Sequence, residues 1–164
     1  MRLPSIALVL GMLFFASPAF ADATVFIGST TTPTSRMVRG VALGVSLLIV
    51  GFEFEYANTS EAVDEHAPSL RTGMGNVLLQ TPFPVLGMQF YGTIGGGGYR
   101  ETLQGDLPEP VHQETQVGVN TGGGVKVSLL GPLRARLDYR VFKLHGEPLH
   151  DTMHRFYAGV NLAF

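Results

Sequence analysis

Three histidines fall close together near the end of the chain, His145, His150 and His154, with Glu147 and Asp151 among them. Imidazoles and carboxylates are ligands for zinc and other divalent ions. The spacing repeats no ligand motif, and histidines in a polar connection are ordinarily solvated, so neither a metal nor any other cofactor is expected. His66 and Ser69 are the nearest approach to a base beside a nucleophile, and no recognisable triad accompanies them. The glycine run 95–98, followed by Tyr99 and Arg100, opens no helix and does not read as a phosphate loop. More informative are charges at alternate positions: Glu53 and Glu55 in one segment, and Arg134, Arg136, Asp138 and Arg140 in another, with Lys126 and Arg155 nearby in sequence order. Such charges could line a channel or a proton path. They could equally pair with one another and fill an enclosed interior.

The elements carrying these charges have a period of two, which places alternate side chains on opposite faces of a strand. In residues 133–141 the arginines and Asp138 alternate with Leu133, Ala135, Leu137, Tyr139 and Val141. In residues 50–56 the glutamates alternate with Phe52, Phe54 and Tyr56. Residues 116–129 set Val117, Val119, Val125, Val127 and Leu129 against Gly118, Asn120, Gly122, Gly124 and Lys126. Residues 41–46 and 86–94 alternate in the same way, whereas 23–29 and 70–79 have mixed faces. The last segment, 155–164, puts Phe156, Ala158, Val160, Leu162 and Phe164 on one face. About eight strands result, each close to the ~9–11 residues of a tilted strand crossing a bilayer.

The connections are sorted as well. Those near residues 46–48, 81–84 and 130–132 are short, whereas 30–35, 57–69, 98–114 and 144–152 are longer and more polar. Strict alternation of short and long connections is the habit of outer-membrane barrels, with tight turns on one rim and loops on the other. A net charge of −2 argues against nucleic acid as a partner, and cysteine is absent. The chain opens with Met1 and Arg2, an apolar core from 6 to 15, and the small-x-small site Ala19-Phe20-Ala21. Residues 1–21 therefore read as a signal peptide and 22–164 as one mature domain.

This pattern resembles the small eight-stranded outer-membrane barrels of Gram-negative bacteria, the OmpA/OmpX-type and opacity-like group of the porin family. The most specific element is the ending: Tyr157, Gly159 two residues later, then Leu162 and Phe164 at the third-last and last positions. The resemblance implies recognition of these four residues by the barrel-assembly machinery. It also implies a fold, a single antiparallel up-and-down transmembrane β-barrel. The larger OmpA architecture adds a peptidoglycan-binding domain beyond the barrel; with the sequence ending at Phe164, that activity is not expected here.

The expected protein is a non-enzymatic, monomeric outer-membrane barrel, exported by a signal peptide cleaved after Ala21. Its partners would be membrane lipid and lipopolysaccharide, and its activity would lie in the outward loops. Acidic Glu61, Asp64 and Glu65 would form a solvated loop tip, with divalent ions bridging them to lipopolysaccharide phosphates as the weaker option. Eight strands enclose a space that side chains just fill, so the charges are expected to be a structural plug. Two alternatives stand beside this reading. One is a barrel enzyme acting on lipid acyl chains at the membrane rim; the other is a soluble periplasmic, lipocalin-like calyx for an apolar ligand. The calyx would have an apolar interior and a polar exterior, so the direction in which the charges of 133–141 point separates it from the membrane barrel.

Overall fold

The computed structural model describes residues 20–62, 67–103, 111–112, 115–146, 148 and 150–164. Residues 1–19 of the proposed signal segment 1–21, together with Asp64, Glu65, His66 and Glu147, lie outside them, while Phe20 and Ala21 begin the first strand. Eight long strands follow one another: β1 Phe20–Thr30, β2 Arg36–Leu47, β3 Val50–Thr59, β4 Ser69–Gln80, β5 Met88–Leu103, β6 Gln116–Leu130, β7 Leu133–Leu144 and β8 Thr152–Ala163. A two-residue strand, Val111–His112, pairs with the end of β5. Each long strand pairs antiparallel with its neighbour in sequence. The last pairs with the first, from Asp22↔Ala163 to Thr30↔Arg155. The sheet is thus a closed, all-β, up-and-down barrel of eight strands, as the alternation predicts.

The two faces are sorted in the reverse of a soluble protein. Leu137 is 53% exposed on the outside, while its neighbours Arg136 and Asp138 are buried within. Phe52, Phe54, Tyr56, Phe90, Tyr139 and Phe156 all point outward. Meanwhile Arg136, Arg140, Arg155 and Lys126 are among the largest fully buried side chains. This arrangement rules out a calyx with an apolar interior.

The turns are short on one rim. Leu48 and Ile49 join β2 to β3, with Leu48 in the left-handed region at φ 49°. Gly131 and Pro132 join β6 to β7, with Gly131 at φ 55°. Between β4 and β5 a tight turn is closed by mutual hydrogen bonds of Val85 and Met88, at 2.8 and 3.0 Å. Its two central residues, Leu86 and Gly87, both have positive φ, 53° and 77°, as a turn of the I′ kind requires. Leu86 is therefore a turn tip and not the first residue of a strand.

Three segments expected in loops are strand instead. Ala57 to Thr59 complete β3, residues 98–103 complete β5, and His154 lies on β8. The glycine run 95–98 lies inside β5 and not at its end, with its backbone paired on both sides. Gly95 to Gly98 face Asn76 to Gly73 on β4 and Asn120 to Val117 on β6. Glycine lowers strand propensity, yet a ladder on either side holds the chain extended.

Candidate functional site: the charged interior of the barrel

Period-two alternation brings Glu53 and Glu55 of β3 face to face, across the barrel, with Arg136, Asp138 and Arg140 of β7. The Arg136 guanidinium makes a two-pronged contact with the Glu53 carboxylate, and its Nη2 also donates to Asp138 Oδ2 at 3.0 Å. Its Nε donates to the Tyr91 hydroxyl at 2.7 Å, which in turn donates to Asp138 Oδ2 at 2.5 Å. Arg140 donates from Nη2 to Glu53 Oε1 at 2.8 Å and from Nε to Asp138 Oδ1 at 2.9 Å. Its Nη1 lies 3.1 Å from Glu55 Oε2 without the alignment of a hydrogen bond. Arg155 donates to Glu55 Oε1 at 3.1 Å. Towards the short-turn rim, Lys126 Nζ donates to Asp22 Oδ2 at 2.5 Å.

Four cations, Lys126, Arg136, Arg140 and Arg155, thus meet four anions, Asp22, Glu53, Glu55 and Asp138. The balance matters because an unpaired charge in such a place would cost several kcal/mol, roughly 3–5. Neutral groups complete the network. The Tyr157 hydroxyl lies 3.0 Å from Asp138 Oδ2 and accepts from Arg140 Nη2 at 3.2 Å. Asn161 donates to Thr24 Oγ1 at 2.9 Å, and Asn120 to Asn76 Oδ1 at 2.9 Å.

Apolar side chains close the interior on the long-loop side. Leu70, Met74, Tyr99, Phe142, Leu144 and Met153 form one buried cluster there. The Arg155 guanidinium caps it, 4.2 Å from the centre of the Phe142 ring. Phe26, Val38, Ala57 and Tyr157 form a second cluster beside the charges. At the short-turn rim a recess of about 240 Å³ contains Gln80, Gln89 and Arg134 and ends on the Lys126–Asp22 pair.

Of the charged residues singled out in the sequence, Arg134 stands apart. It faces inward at the rim, makes no ion pair with a described residue, and reaches only Gln89 Oε1 at 3.5 Å. The network also holds residues that the alternation of charges alone does not mark: Asp22, Thr24, Tyr91, Tyr157 and Asn161. Tyr91 and Tyr157 are legible by strand parity, each lying on the polar face of its own strand.

The four residues of the C-terminal signature divide between the faces. Tyr157 and Gly159 face inward, whereas Leu162 and Phe164 face outward. Phe164 extends the seam, exchanging two backbone hydrogen bonds with Ala21 at 2.8 and 3.0 Å. The histidines do not converge. His154 points outward from β8 with Nδ1 2.7 Å from the Tyr139 hydroxyl, while His145 and His150 stay in the connection before β8. Among the described residues no group of three or more acidic, histidine or cysteine side chains is placed to hold a metal ion. Ser69 Oγ donates to the Thr102 carbonyl at 3.0 Å.

No protein-family profile matches the chain, and no curated protein matches it by sequence. Solved structures do match the fold. Neisserial surface protein A is similar over 90% of this chain and 98% of its own, with a TM-score of 0.72 and 13% identity. The N-terminal β-barrel domain of Pseudomonas aeruginosa OprF is similar over 90% of this chain and 100% of its own, with a TM-score of 0.68 and 15% identity. Ail, the attachment invasion locus protein of Yersinia pestis, solved with the heparin analogue sucrose octasulfate, covers 90% of this chain and 100% of its own; its TM-score is 0.56 and its identity 12%. The fold is that of eight-stranded outer-membrane barrels.

Proposed function

We propose that the chain is an integral outer-membrane protein whose barrel is a plugged, non-enzymatic scaffold for the loops on its long-loop rim. The observation that carries this reading is the inverted sorting of the two faces. A belt of Val, Leu, Ile and Phe surrounds a balanced set of buried ion pairs, which suits a hydrocarbon surround and a closed interior. Residues 1–21 would direct export, and both chain ends would then lie on the periplasmic side with the short turns. Tyr157, Gly159, Leu162 and Phe164 would be read by the barrel-assembly machinery. The interacting surface would be the loops, with lipopolysaccharide and membrane lipid as surroundings and the monomer as the working unit.

Fractionation tests the location. The chain is expected in the outer-membrane fraction, and unheated samples are expected to migrate differently from boiled ones on a denaturing gel. Recovery from the soluble periplasm without detergent would overturn the reading.

A further inference from the structure

Three arginines point outward at neighbouring rungs of the barrel wall. Arg39 on β2 pairs with Asn58 on β3, Asn58 with Arg71 on β4, and Arg71 with Arg100 on β5. Their sequence neighbours Val38, Leu70, Thr72, Tyr99 and Glu101 are buried, so the guanidiniums face out. With strands about 4.8 Å apart, Arg71 and Arg100 stand side by side. Like charges directly opposite on a sheet repel. No ion pair among the described residues relieves them; Arg100 makes one neutral contact, from Nη2 to Thr115 Oγ1 at 3.1 Å. A row of guanidinium forks fits phosphate oxygens, each of which accepts paired N–H donors.

Below the row the wall is shaped for a chain. The next outward rungs towards the short-turn rim are Gly73↔Gly98 and Gly75↔Gly96. None of these glycines has a positive φ, and a Cβ at Gly73, Gly75 or Gly96 would meet its nearest atom at 3.9, 3.8 and 3.6 Å. The barrel itself therefore leaves room for side chains at these three positions. Their absence makes a furrow between Phe54 and Tyr56 on one side and Val117 and Val119 on the other. A recess of about 370 Å³, lined by Phe52, Phe54, Gly75 and Val77, lies at its foot.

We propose that Arg39, Arg71 and Arg100 dock the phosphate groups of outer-leaflet lipopolysaccharide, with one acyl chain lying in the furrow beneath them. This rests on the proposed membrane orientation, in which the long-loop rim faces outward. Charge complementarity carries the choice of occupant. A second copy of the chain docking by the same face would bring the same arginines against this row, adding repulsion instead of relieving it.

The test uses the full chain, folded in detergent and incubated with bis-phosphorylated lipid A, with bound lipid read by native mass spectrometry. The wild type is expected to retain the lipid, and Arg71→Gln/Arg100→Gln to retain at least tenfold less. Dephosphorylated lipid A should bind the wild type no better than the phosphorylated form binds the variant. Gly75→Leu, which fills the furrow with the arginines intact, should also weaken retention. Lys143→Gln, outward on the far wall, should leave it unchanged. Folding of each protein is checked by heat-shifted gel mobility. Equal retention by the wild type and the two arginine and glycine variants would overturn the proposal, as would equal competition by phosphatidylglycerol vesicles. An outer-membrane chain that retains no lipid A sinks the docking site alone, whereas a soluble periplasmic chain sinks the location.

Discussion

Phe26 and Tyr157 are stacked inside the barrel with ring centroids 4.1 Å apart, one on the first strand and one on the last. The Cβ of each also lies beside a glycine of the opposite strand. Phe26 pairs with Gly159, where an added Cβ would come within 2.9 Å of the Phe26 Cβ and 2.7 Å of the Val25 carbonyl. Tyr157 pairs with Gly28, where an added Cβ would come within 2.6 Å of the Tyr157 Cβ. Aromatic residues set opposite glycines across a pair of strands are a known way to pin register. Here they pin the seam that closes the cylinder.

The seam makes Gly159 sensitive to size. Gly159→Ala should destabilise the folded barrel by ~1–3 kcal/mol, the usual cost of overpacking. Tyr157→Phe keeps the stack but removes the hydroxyl beside Asp138, and should cost ~1–3 kcal/mol. Urea unfolding in detergent measures both; a wild-type midpoint for Gly159→Ala would contradict the packing argument.

The interior pairs predict an asymmetry between single and double changes. Glu53→Gln leaves Arg136 and Arg140 short of a carboxylate and should cost roughly 3–5 kcal/mol. Glu53→Gln combined with Arg136→Met removes both partners of the closest pair and should cost less than the sum of the two single changes. Additive losses in a double-mutant cycle would show that the pair contributes no coupling.

A barrel filled in this way should not conduct steadily. Arg136, Arg140 and Arg155 occupy the centre, and the cluster around Phe142 closes the long-loop side. Planar-bilayer recording of the purified chain should show no large, stable conductance. Stable steps would mean that the plug moves aside.

Replacing Phe164 separates recognition from stability. Phe164 is 70% exposed on the outside, and the backbone rung it makes with Ala21 would be lost on cleavage after Ala21. Phe164→Asp should therefore refold in detergent much as the wild type does, yet give less heat-shiftable barrel in cells. Normal assembly in cells would count against a role for this residue as a signal.

Much of the wall was legible because polar and apolar residues alternate without exception in stretches such as 133–141 and 50–56. Strand β4 was obscure for a physical reason. Leu70, Met74 and Leu78 face inward together with Thr72 and Asn76, while Val77 and Leu79 face outward together with Arg71, Gly73 and Gly75, so each face mixes apolar and polar residues. β1 is blurred in the same way by the inward Phe26. An inner face that mixes polar and apolar side chains leaves no clean alternation in either strand. The charges of Glu53, Glu55, Arg136, Asp138 and Arg140 could be placed on one inner surface by parity, but their partners could not. Which arginine meets which glutamate depends on a separation of some eighty residues in sequence and on closure of the cylinder. Asp22 carries no such mark in the sequence because it sits at the expected cleavage point, where no alternation precedes it.

Closure also sets the timing of folding. Lys126 finds Asp22, Arg136 finds Thr24, and Asn161 finds Thr24 only when the first strand and the last three are in place together. No growing chain can hold its early strands in their final surroundings, because β1 waits for β8 across the seam. The other edge of β1 stays without its partner until residues 152–163 arrive. The end of the chain thus completes the surroundings of its beginning.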